Sequence, residues 1–234
     1  MEESKLRYLR LEDNTVSMIS DKEVINCLKG NLPDQWRDIF LSKDKEERKR
    51  KVIDLWFEHL GMVLPDVTKK IRNRLEDIEL IQKKINGTSE YCVLYTINDG
   101  ENRRIFYEGR MPKEVGQYCM QLDCWEKLPK EIKAFYEIIH NGFYHYANRG
   151  MGLQPIQYVN FEEDDGGEWF LEYGPYSDDY YIYNLSFFRN SLGIAVSIDS
   201  KETDTKNAIV WRRDQEPEIG KNFWSIVDQL LLYF

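Results

Sequence analysis

Few residues of this chain have the type and spacing that hydrolytic chemistry needs. Asp199-Ser200-Lys201 ends an aliphatic run in the Asp/Glu-x-Lys order, and Asp178 or Asp179 could give a metal ion its second carboxylate. The tripeptide is common by chance, and the acidic residues around it would repel a phosphate backbone. A metal-dependent nuclease that uses Asp199 and Lys201 is therefore the least favoured of our hypotheses.

The histidines and cysteines do not form a catalytic or metal-binding pattern. His140 and His145 lie five residues apart across a predicted helix end, which is not a natural metal pair, and no Ser, Cys or Asp neighbour suggests a triad. The four cysteines lack Cys-x-x-Cys spacing, which argues against a zinc site and a disulfide framework. We therefore expect no enzyme, no catalytic residue, no cofactor and no metal site.

Acidic residues are concentrated in one stretch of a chain whose formal net charge is −9. Residues 150–188 contain eight Asp and Glu residues, interleaved with tyrosines, and no Lys or Arg. Such a surface repels nucleic acid and attracts basic proteins, and tyrosine is common at interface hot spots. An ordinary strand region with solvated turns fits this stretch equally well. If it is a binding surface, the candidate contact residues are Asp164, Asp165, Tyr176, Asp178, Asp179 and Tyr180.

One helix has well-defined ends and anchors the remaining elements. Leu128-Pro129 is typical of a helix entrance, and Asn141-Gly142 of a helix end. Between them an apolar stripe follows helical spacing, formed by Ile132, Phe135, Tyr136 and Ile139.

The first 88 residues are predicted to be mainly helical. Asp21 is a candidate N-cap, Pro33 opens a second short helix, and the charged run 43–51 leads into a third. Apolar residues spaced by three or four predict a long amphipathic helix from Pro65 to about Ile85.

The period changes after residue 88, where β-type patterns begin. A hairpin is predicted from Tyr91 to Tyr107 around Asn98-Asp99-Gly100. A short helix from Pro112 to about Leu122, the anchor helix, further strands and a closing helix follow. The strands are predicted at Pro155–Phe161, Trp169–Tyr173, Tyr180–Phe188, Ile194–Asp199 and Ala208–Arg212, and the closing helix at Phe223–Phe234.

These patterns predict an α+β fold: a mixed or antiparallel sheet packed by helices, with an N-terminal helical extension. The predicted domains are 1–88, mainly helical, and 89–234. No apolar run is long enough for a signal peptide or a membrane span, and the scattered thiols favour a reducing compartment. We expect a cytoplasmic protein without nucleic-acid or membrane partners, while the sequence leaves its oligomeric state open.

The order of the C-terminal elements resembles the SUKH superfamily, which groups fungal cell-wall-synthesis regulators with bacterial toxin-immunity proteins. The resemblance rests on Leu128-Pro129 before a helix, Asn141-Gly142 after it, a strand with Gly193 that ends at Ile198-Asp199, and the closing helix from Phe223. It covers roughly residues 112–234. Arg189-Asn190-Ser191 before Gly193 and the aromatic residues after Gly142 depart from the family pattern.

The resemblance implies an α+β fold without catalytic residues. In bacterial members it implies immunity, the binding and inhibition of a cognate toxin domain such as a nuclease. We expect a protein partner of this kind with a basic surface, which the acidic stretch would contact. A regulatory scaffold that binds an endogenous protein is the alternative that the fungal members imply.

Overall fold

The structure, a computed structural model, describes residues 16–85, 88–101, 103–112, 124–147, 151–159, 184–190, 193–213 and 215–232. Within these ranges there are ten strands and six α-helices. The strands are β1 (Val16–Ile19), β2 (Leu75–Ile85), β3 (Thr88–Asn98), β4 (Arg104–Arg110), β5 (Phe143–His145), β6 (Gly152–Leu153), β7 (Asn184–Asn190), β8 (Ile194–Asp199), β9 (Ala208–Arg212) and β10 (Gln215–Lys221). The helices are α1 (Lys22–Cys27), α2 (Asp34–Phe40), α3 (Lys45–Leu60), α4 (Pro65–Arg74), α5 (Lys130–Ala134) and α6 (Phe223–Leu230). None of the helices in these ranges is long and apolar enough to cross a membrane.

The strands form one antiparallel sheet in which each strand pairs with the next along the chain, from β1 to β10. Helices α1 to α4 lie between β1 and β2 in the chain, α5 between β4 and β5, and α6 after β10. The expected α+β class is confirmed, and the sheet is antiparallel.

The two faces of the sheet bury different side chains, because neighbouring residues of a strand point to opposite faces. On β3, Val93, Tyr95 and Ile97 pack into a large core to which all six helices contribute. Cys92 and Leu94 point the other way, into a smaller cluster with β1 and β2 residues. We call these the helix face and the opposite face.

Local sequence explains most helix starts. The side chains of Asp21, Asp44 and Asn222 accept hydrogen bonds from backbone N–H groups in the first turns of α1, α3 and α6. Pro33 and Pro129 directly precede α2 and α5. These N-termini are therefore encoded by the residues beside them.

Helix α4 is capped from a distant part of the chain. The Asp228 carboxylate of α6 accepts hydrogen bonds from the N–H groups of Asp66 (3.1 Å) and Val67 (2.8 Å). The Lys70 ammonium in turn donates to the carbonyl of Leu232 at 2.7 Å. The closing helix is therefore fixed to the N-terminal helices by hydrogen bonds as well as by packing.

The N-terminal helical extension is not supported. The buried side chains Trp36 of α2, Trp56 of α3 and Val67 of α4 belong to the same core as the sheet and α6. These helices therefore cover the sheet rather than extend from it.

The anchor helix is confirmed with one refinement. Ile132, Phe135, Tyr136 and Ile139 are all buried, but α5 passes into a π-helical turn at Phe135–Ile139. The N–H of His140 donates to the carbonyl of Phe135 at 2.7 Å, five residues back, and closes this wider turn. Turns of this kind often occur at functional sites.

The long helix predicted from Pro65 to Ile85 is wrong beyond Arg74, because residues 75–85 form β2. Ile78 and Leu80 lie in the core of the helix face, whereas Ile81 lies in the cluster of the opposite face. A strand that is buried on both faces does not alternate strictly, so its apolar residues matched a helical spacing.

Other strand predictions have mixed outcomes. The hairpin around Asn98-Asp99-Gly100 and the strands Ile194–Asp199 and Ala208–Arg212 are confirmed. The strand predicted from Pro155 is wrong in its described part, where Ile156–Tyr158 forms a 3₁₀ turn. The predictions for Lys113–Leu122 and Trp169–Tyr173 lie outside the described residues.

Candidate functional site

The predicted contact residues Asp164, Asp165, Tyr176, Asp178, Asp179 and Tyr180 all lie outside the described residues. The structure describes the two ends of their stretch, 151–159 and 184–190. Leu153 of β6 pairs with Phe188 of β7, and the Gln154 N–H donates to the Phe187 carbonyl at 2.8 Å. The acidic stretch therefore starts and ends at neighbouring strands.

The first end of the stretch carries a firmly held turn, residues 155–159, which we call the entry turn. Ile156 and Val159 are buried, while Gln157 and Tyr158 between them are exposed. The Tyr136 hydroxyl of the π turn donates to the carbonyl of Gln154 at 2.8 Å. The turn is thus fixed to the core on both sides of its exposed residues.

Asn141 binds the entry turn through its side-chain amide. Its Oδ1 accepts a hydrogen bond from the Ile156 N–H at 2.8 Å, and its Nδ2 donates to Gln157 Oε1 at 3.2 Å. Its own N–H donates to the Arg110 carbonyl at 3.1 Å. Asn141 is only 2% exposed, so these bonds join the end of β4 to the entry turn inside the protein.

Gly142 provides the space for this contact. Its φ is +95°, and a Cβ there would lie 2.7 Å from the backbone nitrogen of Pro155. Only glycine combines this backbone conformation with so close an approach. The Asn-Gly pair therefore ends the helix and also holds the entry turn.

Tyr158 is the exposed aromatic residue of the entry turn, with 55% of its surface accessible. The Arg110 guanidinium lies 5.8 Å from the centre of its ring, a distance at which cation–π attraction acts. Arg110 is also paired with Glu90, at 3.4 Å between Nη1 and Oε1, so its charge is compensated locally.

The Arg110 side chain belongs to a group of polar side chains on the opposite face of the sheet. We call this group the ionic network. The Lys83 ammonium is 2.5 Å from Glu108 Oε1, and both side chains are almost fully buried. The Tyr144 hydroxyl donates to the same oxygen at 2.7 Å and accepts from Arg110 Nε at 3.0 Å. Glu90 completes the network, which contains two positive and two negative charges.

The ionic network shifts the pKa of its members. Burial opposes the charged form of Lys83, but the charge and the hydrogen bond of the Glu108 carboxylate raise the pKa of the ammonium above its ordinary value. Burial would also raise the pKa of Glu108, but the charge and hydrogen bond of Lys83 and the Tyr144 hydroxyl hold it below its ordinary value. Both groups are therefore charged at neutral pH.

A second buried chain of hydrogen bonds lies on the helix face, and we call it the histidine chain. The Trp56 Nε1–H donates to the Tyr95 hydroxyl at 3.0 Å, which lies 2.7 Å from His140 Nε2. His140 Nδ1 lies 3.0 Å from the Arg110 carbonyl, an acceptor, so Nδ1 carries the proton and Nε2 accepts from Tyr95. A side chain at Gly109 would collide with this imidazole.

His140 is not a usable general base. Burial lowers its pKa to about 3, against which the hydrogen bond to the Arg110 carbonyl acts only in part. Both ring nitrogens have partners inside the core, and the ring stacks on Trp36 at 4.8 Å between ring centres. This geometry gives His140 a structural role.

The Asp199-Ser200-Lys201 tripeptide ends β8 and begins the turn that follows it. Asp199 Oδ1 accepts a hydrogen bond from the Lys201 N–H at 2.7 Å, and its carbonyl accepts from the Thr203 N–H at 2.7 Å. Within the described ranges no three His, Cys, Asp or Glu side chains come close enough together to hold a metal ion. This geometry gives Asp199 a structural role, while Asp178 and Asp179 fall outside the described part.

Cys92 has no sign of reactivity. Its thiol is fully buried beside the ionic network, where burial and the Glu108 charge raise its pKa well above the ordinary value. A reactive cysteine needs the opposite shift and access to solvent.

Comparisons with known proteins add no relative: no family model, no curated protein and no solved structure matches this chain. The described residues form a partly charged framework that holds the backbone of the entry turn and ends at the exposed Tyr158.

Sequence reasoning missed the ionic network and the entry turn. Lys83 lies in the segment predicted as a helix that forms β2, and Glu108 comes close to it only through the strand register. Pro155, whose fixed backbone angle favours turns, was the one local signal that could have pointed to the entry turn.

Proposed function

We propose that this chain is a non-catalytic binding protein of the SUKH kind, and specifically an immunity protein that binds a cognate toxin domain. The observation that carries the proposal is the charge pattern of residues 150–188, eight carboxylates with interleaved tyrosines and no Lys or Arg. A toxin that acts on nucleic acid needs a basic surface, and an acidic protein can cover that surface and block its substrate.

The positions of the motifs support this proposal. Leu128-Pro129 starts the anchor helix, Asn141-Gly142 ends it, and Gly193 with φ +79° turns the chain between β7 and β8. The closing helix from Phe223 packs into the same core. Each motif on which the resemblance rests thus has a defined structural task in an antiparallel α+β fold.

The experiment that tests the proposal is capture of partners from lysates of the source cells by the purified full chain, over a series of salt concentrations. We expect a stoichiometric basic protein whose capture weakens as salt rises. The double variant Asp178→Lys/Asp179→Lys should lose it, because the reversed charges repel a basic surface. Glu58→Lys/Glu216→Lys is the matched control, since it makes the same charge change at exposed positions outside the stretch.

The captured protein must then arrest growth when it is expressed alone in a heterologous host, and co-expression of this chain must restore growth. A partner that is harmless alone would favour the regulatory scaffold. Capture that is indifferent to salt and to the Asp178 and Asp179 changes would remove the acidic stretch as the contact surface.

A further inference from the structure

The entry turn carries a contact residue, Tyr158, that is not among the six candidates named from the sequence. Tyr158 projects from a turn whose neighbours Ile156 and Val159 are buried, so its ring is exposed while its backbone is fixed. An aromatic side chain held in this way loses little conformational entropy when it binds. This preorganisation is the first reason to regard Tyr158 as a contact residue.

Charge indicates what Tyr158 would bind. The ring belongs to the acidic stretch, which carries eight carboxylates, and the Arg110 guanidinium that lies 5.8 Å from it is paired with Glu90 at 3.4 Å. The face of an aromatic ring attracts cations, and a guanidinium stacks on it especially well. A basic partner could therefore place an arginine against the ring without meeting an uncompensated positive charge.

We propose that Tyr158 binds an arginine side chain of a basic partner protein, and that Asn141 and Gly142 are positioning residues that hold the entry turn for this contact. The inference rests on the proposed function for the identity of the partner. The Asn-Gly pair then links the helix end to recognition: Asn141 bonds to Ile156 and Gln157, while Gly142 lets Pro155 approach.

The chain provides a matched control for Tyr158. Phe57 on α3 is 54% exposed, and Arg72 lies over its ring at 4.6 Å. The two residues therefore share exposure and an arginine neighbour, but Phe57 lies outside the acidic stretch. Changing Phe57 to alanine removes a similar amount of exposed aromatic surface.

The experiment measures binding of a deca-arginine peptide and, separately, of the protein captured by the wild-type chain. For both probes, Tyr158→Ala should weaken binding about tenfold, Tyr158→Phe should keep most of the affinity, and Phe57→Ala should change nothing. Equal affinity of the wild type and Tyr158→Ala for the peptide would overturn the inference. If Tyr158→Ala weakens peptide binding but the wild-type chain captures no protein from the lysate, the arginine contact stands and the proposed function is refuted.

The positioning role needs a different readout, because Asn141→Ala could weaken binding through general destabilisation. Gln157→Ala is a milder second variant, since it removes the hydrogen bond from Asn141 Nδ2 and leaves the bond from the Ile156 N–H to Asn141 Oδ1 in place. If both act through Tyr158, they should weaken binding about two- to fivefold in the wild-type background and have no effect beside Tyr158→Ala. Full additivity in the double variants would show that Asn141 and Gln157 do not position this contact.

Discussion

The two faces of the sheet solve the same problem, the burial of polar side chains, in different ways. On the helix face, the histidine chain contains Trp56, Tyr95 and His140, all neutral, and ends at the carbonyl of Arg110. On the opposite face, the ionic network pairs Lys83 with Glu108 and passes through Tyr144 to the guanidinium of Arg110. Arg110 thus contributes its backbone to one system and its side chain to the other.

The difference between the two systems lies in what happens when one member is lost. In the histidine chain, removal of a partner leaves a neutral donor or acceptor unsatisfied, which costs about 1–3 kcal/mol. In the ionic network it leaves a charge in the interior, which costs about 3–5 kcal/mol. Removal of one member should therefore cost more stability in the ionic network than in the histidine chain. This cost does not measure the net stabilisation by either system, because well-packed apolar side chains in place of the whole system could stabilise the fold as well.

The largest effect is expected for Lys83→Met. The variant leaves the Glu108 carboxylate in the core with the Tyr144 hydroxyl as its remaining direct hydrogen bond, and we expect a loss of about 3–5 kcal/mol in the free energy of unfolding. Urea denaturation measures it. Replacing both charges, in Lys83→Met/Glu108→Leu, should recover most of the loss.

Lys84→Met is the control for this experiment, because Lys84 is the next residue of β2 and is exposed. We expect its effect to stay within about 0.5 kcal/mol. If Lys83→Met lowers the free energy of unfolding no more than Lys84→Met does, Lys83 and Glu108 are not a buried ion pair whose members depend on each other.

The second prediction concerns the pH dependence of stability, which distinguishes the contribution of the histidine chain from that of the ionic network. The pKa of His140 is about 3 when folded and lies near 6.5 when unfolded. Between these values the unfolded chain binds a proton that the folded chain does not, so stability is full above pH 6.5 and falls as the pH decreases. The expected slope approaches about 1.4 kcal/mol per pH unit below pH 6.

Denaturation between pH 5.0 and 6.5 measures this slope, because the depressed pKa of Glu108 places its contribution at lower pH. His140→Gln should flatten the profile, whereas His59→Gln, at a partly exposed residue that is not a member of the histidine chain, should leave it steep. A flat wild-type profile would contradict the assignment of His140 as a buried neutral group.

Much of the helix face could be predicted from the sequence, whereas the polar contacts of the opposite face could not. The anchor helix was predictable because Leu128-Pro129, the apolar stripe and Asn141-Gly142 are local signals. The core positions Phe135 and Ile139 followed from spacing alone. The sequence shows no metal or triad pattern around His140, but its partners Tyr95 and Trp56 come from elements that are distant in sequence and were not predicted.

The opposite face was not predictable in this way. Strand β2 is buried on both faces, and the spacing of its apolar residues matches that of a helix, so the sequence gives no sign that Lys83 is buried. The pairing of Lys83 with Glu108 depends on the registers of β2 with β3 and of β3 with β4, which no short motif encodes. The hydrogen bonds of Asn141 to the entry turn depend on tertiary contacts in the same way.

A smaller effect is expected for Tyr95→Phe. The variant removes the hydroxyl that accepts from Trp56 and donates to His140, and it leaves both groups buried without that partner. We expect a loss of about 1–3 kcal/mol in urea denaturation. Tyr91→Phe, on the same strand and the same face but half-buried, is the control, and it should cost less than about 0.5 kcal/mol.

The smallest expected effect is the coupling between the two systems, and it tests whether they are separate at all. They meet at Arg110, but through different groups of that residue, the carbonyl on the helix face and the guanidinium on the opposite face. The double variant Tyr95→Phe/Lys83→Met should therefore lose the sum of the two single losses within about 0.5 kcal/mol. Because a loss this large could unfold the chain, the same cycle can be run with Lys83→Arg, which keeps the charge. A coupling well above that limit would mean that the backbone of β4 transmits the change from one face to the other, and the two systems would then be one network built around Arg110.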